Sequence, residues 1–330
     1  MNSFGRMFRM SIFGESHGSG VGLVLDGCPA GLPLAEADFA ADLGRRKTEG
    51  EGTSARREED RPAFLSGLFE GRTTGAPLAI FFANAEARPA DYGFVRDTPR
   101  PGHADWTARV KYGGFNAHRG GGTFSGRLTL ALVAAGVVAK VLIRPAVVEA
   151  RIEEAGGNPD PRAAASRAAA EGDSVGGLIS CRVAPVPAGL GEPFFDSLES
   201  LIAHLVFSVP GVKGIEFGAG FRAARMRGSE HNDPIVAPDG GTSSNNAGGI
   251  NGGISSGNPL LFRVAVKPPS SIACPQRSWN FAAGGPAELR VPGRHDACIA
   301  LRLPVVIEAA AAVVLADLML QEGKIPRVTG

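Results

Sequence analysis

Apolar residues dominate Met7–Phe13 and again Val21–Asp26, and the polar, glycine-flanked GESHGSG (14–20) breaks the run between them. This predicts two strands joined in a hairpin. In PAGLPLAEADFAADLGRR (29–46), Leu34, Phe39 and Leu43 fall near helical spacing. A turn and then an amphipathic helix follow from that, closed by Arg45, Arg46 and Lys47, whose charges suit a helix C-terminus. Strands are expected over Ala63–Glu70 and Pro77–Ala83, around the turn GRTTGAP. Ser125–Ile143 is apolar on every side and predicts a buried helix. Further on, the pattern predicts strands over Ala146–Glu153, Gly176–Val186, VKGIEFG and LLFRVAV, and helices over Asp160–Glu171 and Phe194–Phe207. A last apolar helix opens near Pro304, where proline is tolerated in the first turn. The segment 237–259 has no hydrophobic period and predicts a disordered loop. Segments 21–43 and 176–205 both read strand, then P-A-G-L, then amphipathic helix, which suggests two related halves.

Composition narrows the function classes. With 34 Lys+Arg against 33 Asp+Glu, the chain lacks the basic excess of a general nucleic-acid binder, and Trp 2 and Tyr 2 leave few rings for base stacking. Glycine, 46 of 330 residues, is about twice its usual share of roughly 7%, so ordered tight turns are expected. None of the four cysteines lies in a C-x-x-C pair, and neither H-E-x-x-H nor an acidic triad occurs, so no metal is expected. The longest apolar run, near 304–320, is interrupted by Glu308 and Asp317, and no membrane span is expected. A soluble, cytoplasmic protein is the expectation, its 330 residues enough for one large domain or two modest ones. P-loop and dinucleotide-binding glycine motifs are absent.

The candidate chemistry centres on RPGHADWTARVKYGGFNAHRGGGTFSGR (100–127). It holds His103 and His118, Asp105, five cations (Arg100, Arg109, Lys111, Arg119 and Arg127) and the triplet Gly120–Gly122. Glycine lets backbone N–H groups approach a ligand, arginine supplies permanent planar donors, and histidine is the proton carrier of neutral pH. His17 sits at the hairpin tip between Gly14 and Gly18. Arg45, Arg46, Arg294 and Arg302 lie elsewhere in sequence and could converge with these cations on a ligand carrying a phosphate and carboxylates. The alternating run Arg56–Arg61 reads either as a solvated charged face or as a basic lid.

Ten separated motifs then occur in one order: GESHG (14–18), RR with R-R-E-x-D (45–60), SGLFEGRTTGAP, RPGHAD, RGGG, FSVPGVKGIEFGAGF, HNDP, GGISSG, KPPSSI and GRHD (293–296). In these the chain resembles the chorismate synthase family over essentially its whole length. That resemblance implies an α+β fold, a β-α-β sandwich with helices between antiparallel sheets, and a homotetramer. It implies a 1,4-anti elimination of phosphate from 5-enolpyruvylshikimate 3-phosphate, with reduced FMN as cofactor and no net redox change. By the same resemblance His17 serves the leaving phosphate, His103 the reduced flavin, and Asp296 assists proton removal by way of the flavin N5. Flavin contacts fall on Thr123, Phe124 and Ser125, on Gly252, on Lys267, Pro268, Pro269, Ser270 and Ser271, and on Arg294. Arg45, Arg46, Arg119 and Arg127 become candidates for substrate or NADP. The reductant stays open between NADPH and a separate flavin reductase. Departures from the family pattern are Thr123-Phe124-Ser125-Gly126 after the glycines, Ala117-His118 before Arg119, and Glu49 and Glu51 in a segment one residue shorter. Two other readings compete: a flavin:NAD(P)H oxidoreductase on the same pocket, and a non-catalytic anion-binding protein.

Overall fold

The computed structural model describes residues 2–47, 58–85, 89–291 and 295–329. Its first half contains β1 (Ser3–Phe4), β2 (Arg9–Gly14), β3 (Gly20–Asp26), α1 (Ala37–Arg46), β4 (Ala63–Ser66), β5 (Leu68–Phe69), β6 (Arg72–Thr73), β7 (Leu78–Ala83), α2 (Asp105–Lys111) and α3 (Thr129–Leu142). Then come β8 (Val147–Ala155), α4 (Pro161–Ala170), β9 (Gly177–Ala184), α5 (Leu198–Phe207), β10 (Val212–Phe217) and α6 (Gly228–His231). The chain closes with β11 (Ile250–Asn251), β12 (Ile254–Ser255), β13 (Leu260–Val266), β14 (Gln276–Asn280), β15 (Gly285–Leu289) and α7 (Pro304–Gln321).

Two antiparallel sheets form the outer layers, in the orders β1-β2-β3-β7-β4 and β10-β13-β9-β8. Between them α3 packs on β3, α7 packs on β8 and β9, and the two helices pack on each other. The α+β sandwich expected from the sequence is therefore the fold. The suspected duplication is legible in the topology. Reading β2-β3-α1-β4-β7-α3 against β8-β9-α5-β10-β13-α7 gives the same strand order in each sheet, 2-3-7-4 and 8-9-13-10, with every pair antiparallel. Each half is a hairpin, a helix, an edge strand, a strand that returns beside the hairpin, and a central helix.

Composition explains why these two helices fill the middle. Val305 to Leu320 is buried at every position, and α3 is buried over Thr129–Ala139. α7 is long and apolar enough to cross a membrane, but 89% of that window is buried inside the protein, as befits a core helix. Its two acids are satisfied in place. Asp317 accepts the backbone N–H groups of Arg6, Met7 and Phe8. Glu308 receives Arg45 at 2.6 and 2.7 Å, Lys140 at 2.7 Å and Ala150 N at 3.0 Å. Burial works to raise the Glu308 carboxyl, but Arg45, Lys140 and the backbone donor override it and hold it below its ordinary value.

Several expectations need correction. The stretch 100–127 is not one loop, because α2 and 3-10 turns interrupt it. Segment 237–259 is ordered: Asp233 binds Ser244 Oγ and the N–H groups of Asn246 and Ala247, and β11-β12 forms a hairpin within it. Strands β14 and β15 carried no sequence expectation at all.

Candidate functional site

Three connections meet at one end of the sandwich. They are the β2–β3 turn with His17, the β7–α3 connection, and the β13–α7 connection. The last two are topological equivalents in the two halves. Their contacts are direct: Arg100 Nη1 donates to Ser271 Oγ at 3.0 Å, Phe281 N to Asp97 O at 2.8 Å, and Ser278 Oγ to Pro99 O at 2.5 Å. Trp106 stacks on Phe281, 4.7 Å between centroids and 4° from parallel.

The glycine triplet sets the spacing of the two imidazoles. Gly120, Gly121 and Gly122 have φ of 59°, 81° and 54°, a left-handed run open to glycine. A methyl group on Gly120 would overlap the His17 ring, and one on Gly121 would stand 3.4 Å from His103 Cε1 and Nε2. The bare backbone thus threads between His17 and His103. Ser16 N donates to Gly122 O at 3.1 Å, which docks the hairpin turn on the triplet.

His103 is held from two sides. Its Nδ1 lies 2.5 Å from Asp105 Oδ1. Arg100 Nη2 lies 3.1 Å from Nδ1 and 3.2 Å from Nε2. A nitrogen equidistant from both ring nitrogens lies over the ring, so this contact is stacking rather than an in-plane hydrogen bond. Arg100 also donates to both Asp105 oxygens, at 2.8 and 2.9 Å. Burial alone would raise the Asp105 carboxyl, but hydrogen bonds from Arg100 and His103 hold it far below the carboxylate range. A charged Asp105 in turn fixes the ring of His103.

Lys267, at the end of β13, donates to Gly102 O and to Ser270 Oγ. Both acceptors are neutral. Burial and the nearby charge of Lys213 pull its ammonium below the ordinary value. A half-buried cation met by uncharged oxygens, beside the Ser270 and Ser271 hydroxyls, is suited to a phosphate. Pro269 O accepts from Ser174 Oγ at 2.7 Å, and Pro268 lies beside Gly176.

A second cationic group surrounds Asp60. Arg127 Nη1 binds Asp60 Oδ1 at 2.7 Å and Arg46 Nη2 binds Asp60 Oδ2 at 3.1 Å. Burial, and then the charges of Arg127 and Arg302, pull the Arg46 guanidinium below its ordinary value against the opposing pull of Asp60. Among the described residues Arg46 Nε is buried with no hydrogen-bond partner. An anion placed here would relieve that burden. Arg302 pairs with Asp296 at 2.9 Å, which brings the sequence-predicted acid into the same neighbourhood. Arg127 and Arg302 each occupy a 3-10 turn just ahead of a central helix, so they are counterparts in the duplicated halves.

Other candidates fall elsewhere. Arg45 turns to Glu308 and Asp42 in the helical layer. Gly252 is exposed at the tip of the β11-β12 hairpin, whose contacts run to Pro187, Leu190 and Leu198. Arg119 is exposed beside Gly120. Thr123 is exposed, Phe124 lies 6.4 Å from Tyr112, and Ser125 Oγ caps the turn that carries Arg127. Arg294, Glu49, Glu51 and, from the run 56–61, Arg56 and Arg57 lie outside the described residues. The part described does not form a solvated face, because Glu58 and Asp60 are buried. Asp60 and Asn84 had no assigned role in the sequence reading. The signal was present for Asn84, a lone amide directly after the apolar strand LAIFFA. Among the described residues no group of three or more His, Cys, Asp or Glu could hold a metal.

The chain is similar to known proteins in sequence and in fold. A family profile described as chorismate synthase matches residues 8–320. A chorismate synthase of Chitinophaga pinensis is 57% identical, covering 99% of both chains. One from Dehalococcoides mccartyi is 45% identical, also over 99% of each. A solved crystal structure of chorismate synthase superposes with a TM-score of 0.74 at 27% identity, covering 97% of this chain and 93% of that one.

Proposed function

The chain belongs to the chorismate synthase family, and from that premise we propose how its own residues carry the reaction. It is a lyase that removes phosphate from 5-enolpyruvylshikimate 3-phosphate by 1,4-anti elimination to give chorismate. One C–O and one C–H bond break and one C=C bond is gained; the proton lost from carbon balances the one taken up by the departing phosphate, so the net products are chorismate and hydrogen phosphate.

The observation that carries the site assignment is the threading of Gly120–Gly121 between His17 and His103, with the Arg46–Asp60–Arg127 group tied to the same turn. Arg46, Arg127 and the exposed Arg119 offer charge to the substrate's phosphate and carboxylates. His17 donates a hydrogen bond or proton to the departing phosphate. Asp296, oriented by Arg302, serves the C–H side. Reduced FMN, when bound, supplies electron density to the breaking C–O bond and recovers it afterwards. Lys267, Ser270 and Ser271 would hold its phosphate end, with Thr123, Phe124 and Ser125 nearby in sequence to Arg127. His103, locked by Asp105 and Arg100, is the imidazole on the cofactor's side. Gly252 and Arg294 enter this reading only through the family resemblance.

We further read the chain as one domain acting in the cytoplasm as a homotetramer. Four unpaired cysteines fit a reducing compartment. Phe115, Phe194, Phe195 and Phe221 are each more than four-fifths exposed, which suits burial against further copies. The site as read is compatible with reductant supply by NADPH or by a separate reductase. An anaerobic assay with reduced FMN and 5-enolpyruvylshikimate 3-phosphate should show chorismate absorbance growing without consumption of nicotinamide. Nicotinamide oxidation in the absence of the shikimate compound, with no chorismate formed, would favour an oxidoreductase instead.

A further inference from the structure

Asn84 is the first residue past β7, and its side chain sits where two parts of the site must be joined. Its Nδ2 lies 3.0 Å from Glu15 O, 3.1 Å from Ser16 O and 2.9 Å from Gly18 O. Its Oδ1 accepts from Arg127 Nε at 2.6 Å. Its backbone N–H also donates to Ser19 O at 3.0 Å. The amide orientation is determined by its surroundings. Three carbonyl acceptors crowd one end, and a permanent guanidinium donor faces the other. Two N–H hydrogens serve three carbonyls, so at least one is shared.

The bound carbonyls belong to the two residues before His17 and the one after it. Asn84 therefore grips the backbone on both sides of the imidazole. Its other end grips Arg127, which in turn holds Asp60 and, through it, Arg46. We propose that Asn84 is a positioning residue that ties the anion-facing Arg127 to the turn carrying His17, so that substrate held by the arginines and the proton delivered by His17 stay in register. This rests on the reading of His17 as the proton carrier. Aspartate is the informative replacement. It keeps an acceptor for Arg127 and the same shape, but it turns the two donors into lone pairs facing three carbonyls.

The test uses the holoenzyme, reduced FMN and 5-enolpyruvylshikimate 3-phosphate, comparing Asn84→Asp, Asn84→Ala, His17→Ala and the double variant His17→Ala/Asn84→Asp. Displacement of a catalytic group by around an ångström costs about 10²-fold, so both Asn84 variants should lose turnover on that order. Because Asn84 acts through His17, the double variant should be no slower than His17→Ala alone. The imidazole 15N signals of His17, assigned among six histidines by their loss in His17→Ala, should shift in Asn84→Asp. If Asn84→Asp does not accumulate as folded protein, Asn84→Ser, which keeps one donor, is read by the same three measures. Wild-type turnover with unmoved His17 signals overturns the proposal, whatever happens to the melting temperature. So do losses that multiply in the double variant. Wild-type turnover in His17→Ala would instead defeat the proton-carrier reading, and the His17 signals would then decide Asn84 on their own.

Discussion

At the scale of single residues, the site depends as much on what is missing as on what is present. Gly120 has no side chain, and the His17 ring occupies the space one would need. Gly120→Ala should therefore expel the imidazole and also strain a backbone at φ 59°. The expected outcome is turnover reduced by about 10²-fold with flavin affinity kept, measured by steady-state kinetics and flavin titration. An unchanged kcat would mean that the ring's position is immaterial. Much of this was legible in sequence, since the triplet, both histidines and the arginines were singled out from residue type and order. What was not legible is partner choice. Arg45 and Arg46 are neighbours in the chain, yet one helical step of about 100° sends one to Glu308 and the other to Asp60. Asp60 read as part of a solvated charge run because sequence does not show that its side chain turns inward.

At the scale of elements, α3 and α7 approach each other closely in the core. A methyl group on Gly136 would overlap Ala309. Helix propensity by itself predicts that Gly136→Ala gains about 1 kcal/mol. Overpacking between two buried helices predicts a loss of about 1–3 kcal/mol, and the backbone of α7 has no room to yield. The loss should prevail, so the variant should unfold at lower denaturant concentration than wild type in an equilibrium titration. A rise in the midpoint would contradict the packing described here. The long apolar helices and the main strands were readable from their periodicity. Segment 237–259 was not, because its order comes from Asp233 capturing backbone N–H groups rather than from an apolar face. The β14-β15 ribbon escaped for a similar reason, since QRSWN and GPAEL lack a clear apolar alternation.

At the scale of the whole molecule, the two halves are the same unit used twice. Equivalent connections, from the return strand to the central helix, have diverged in content and converged in place. One supplies His103, Arg100 and the glycines, and the other supplies Lys267, the serines, Asp296 and Arg302. The repeat of P-A-G-L in sequence announced this duplication, but the contact between the two connections is visible only once the sheets are stacked. On the proposed reading, two imidazoles held on either side of one glycine backbone divide the work, His17 serving the departing phosphate and His103 the reduced flavin. The most direct measurement is anaerobic turnover of His17→Ala and His103→Ala with saturating reduced FMN, alongside flavin affinity. The account predicts that each variant binds flavin and loses about 10²–10⁴ in kcat, the range for a missing general acid or base. Wild-type turnover in both variants would contradict it.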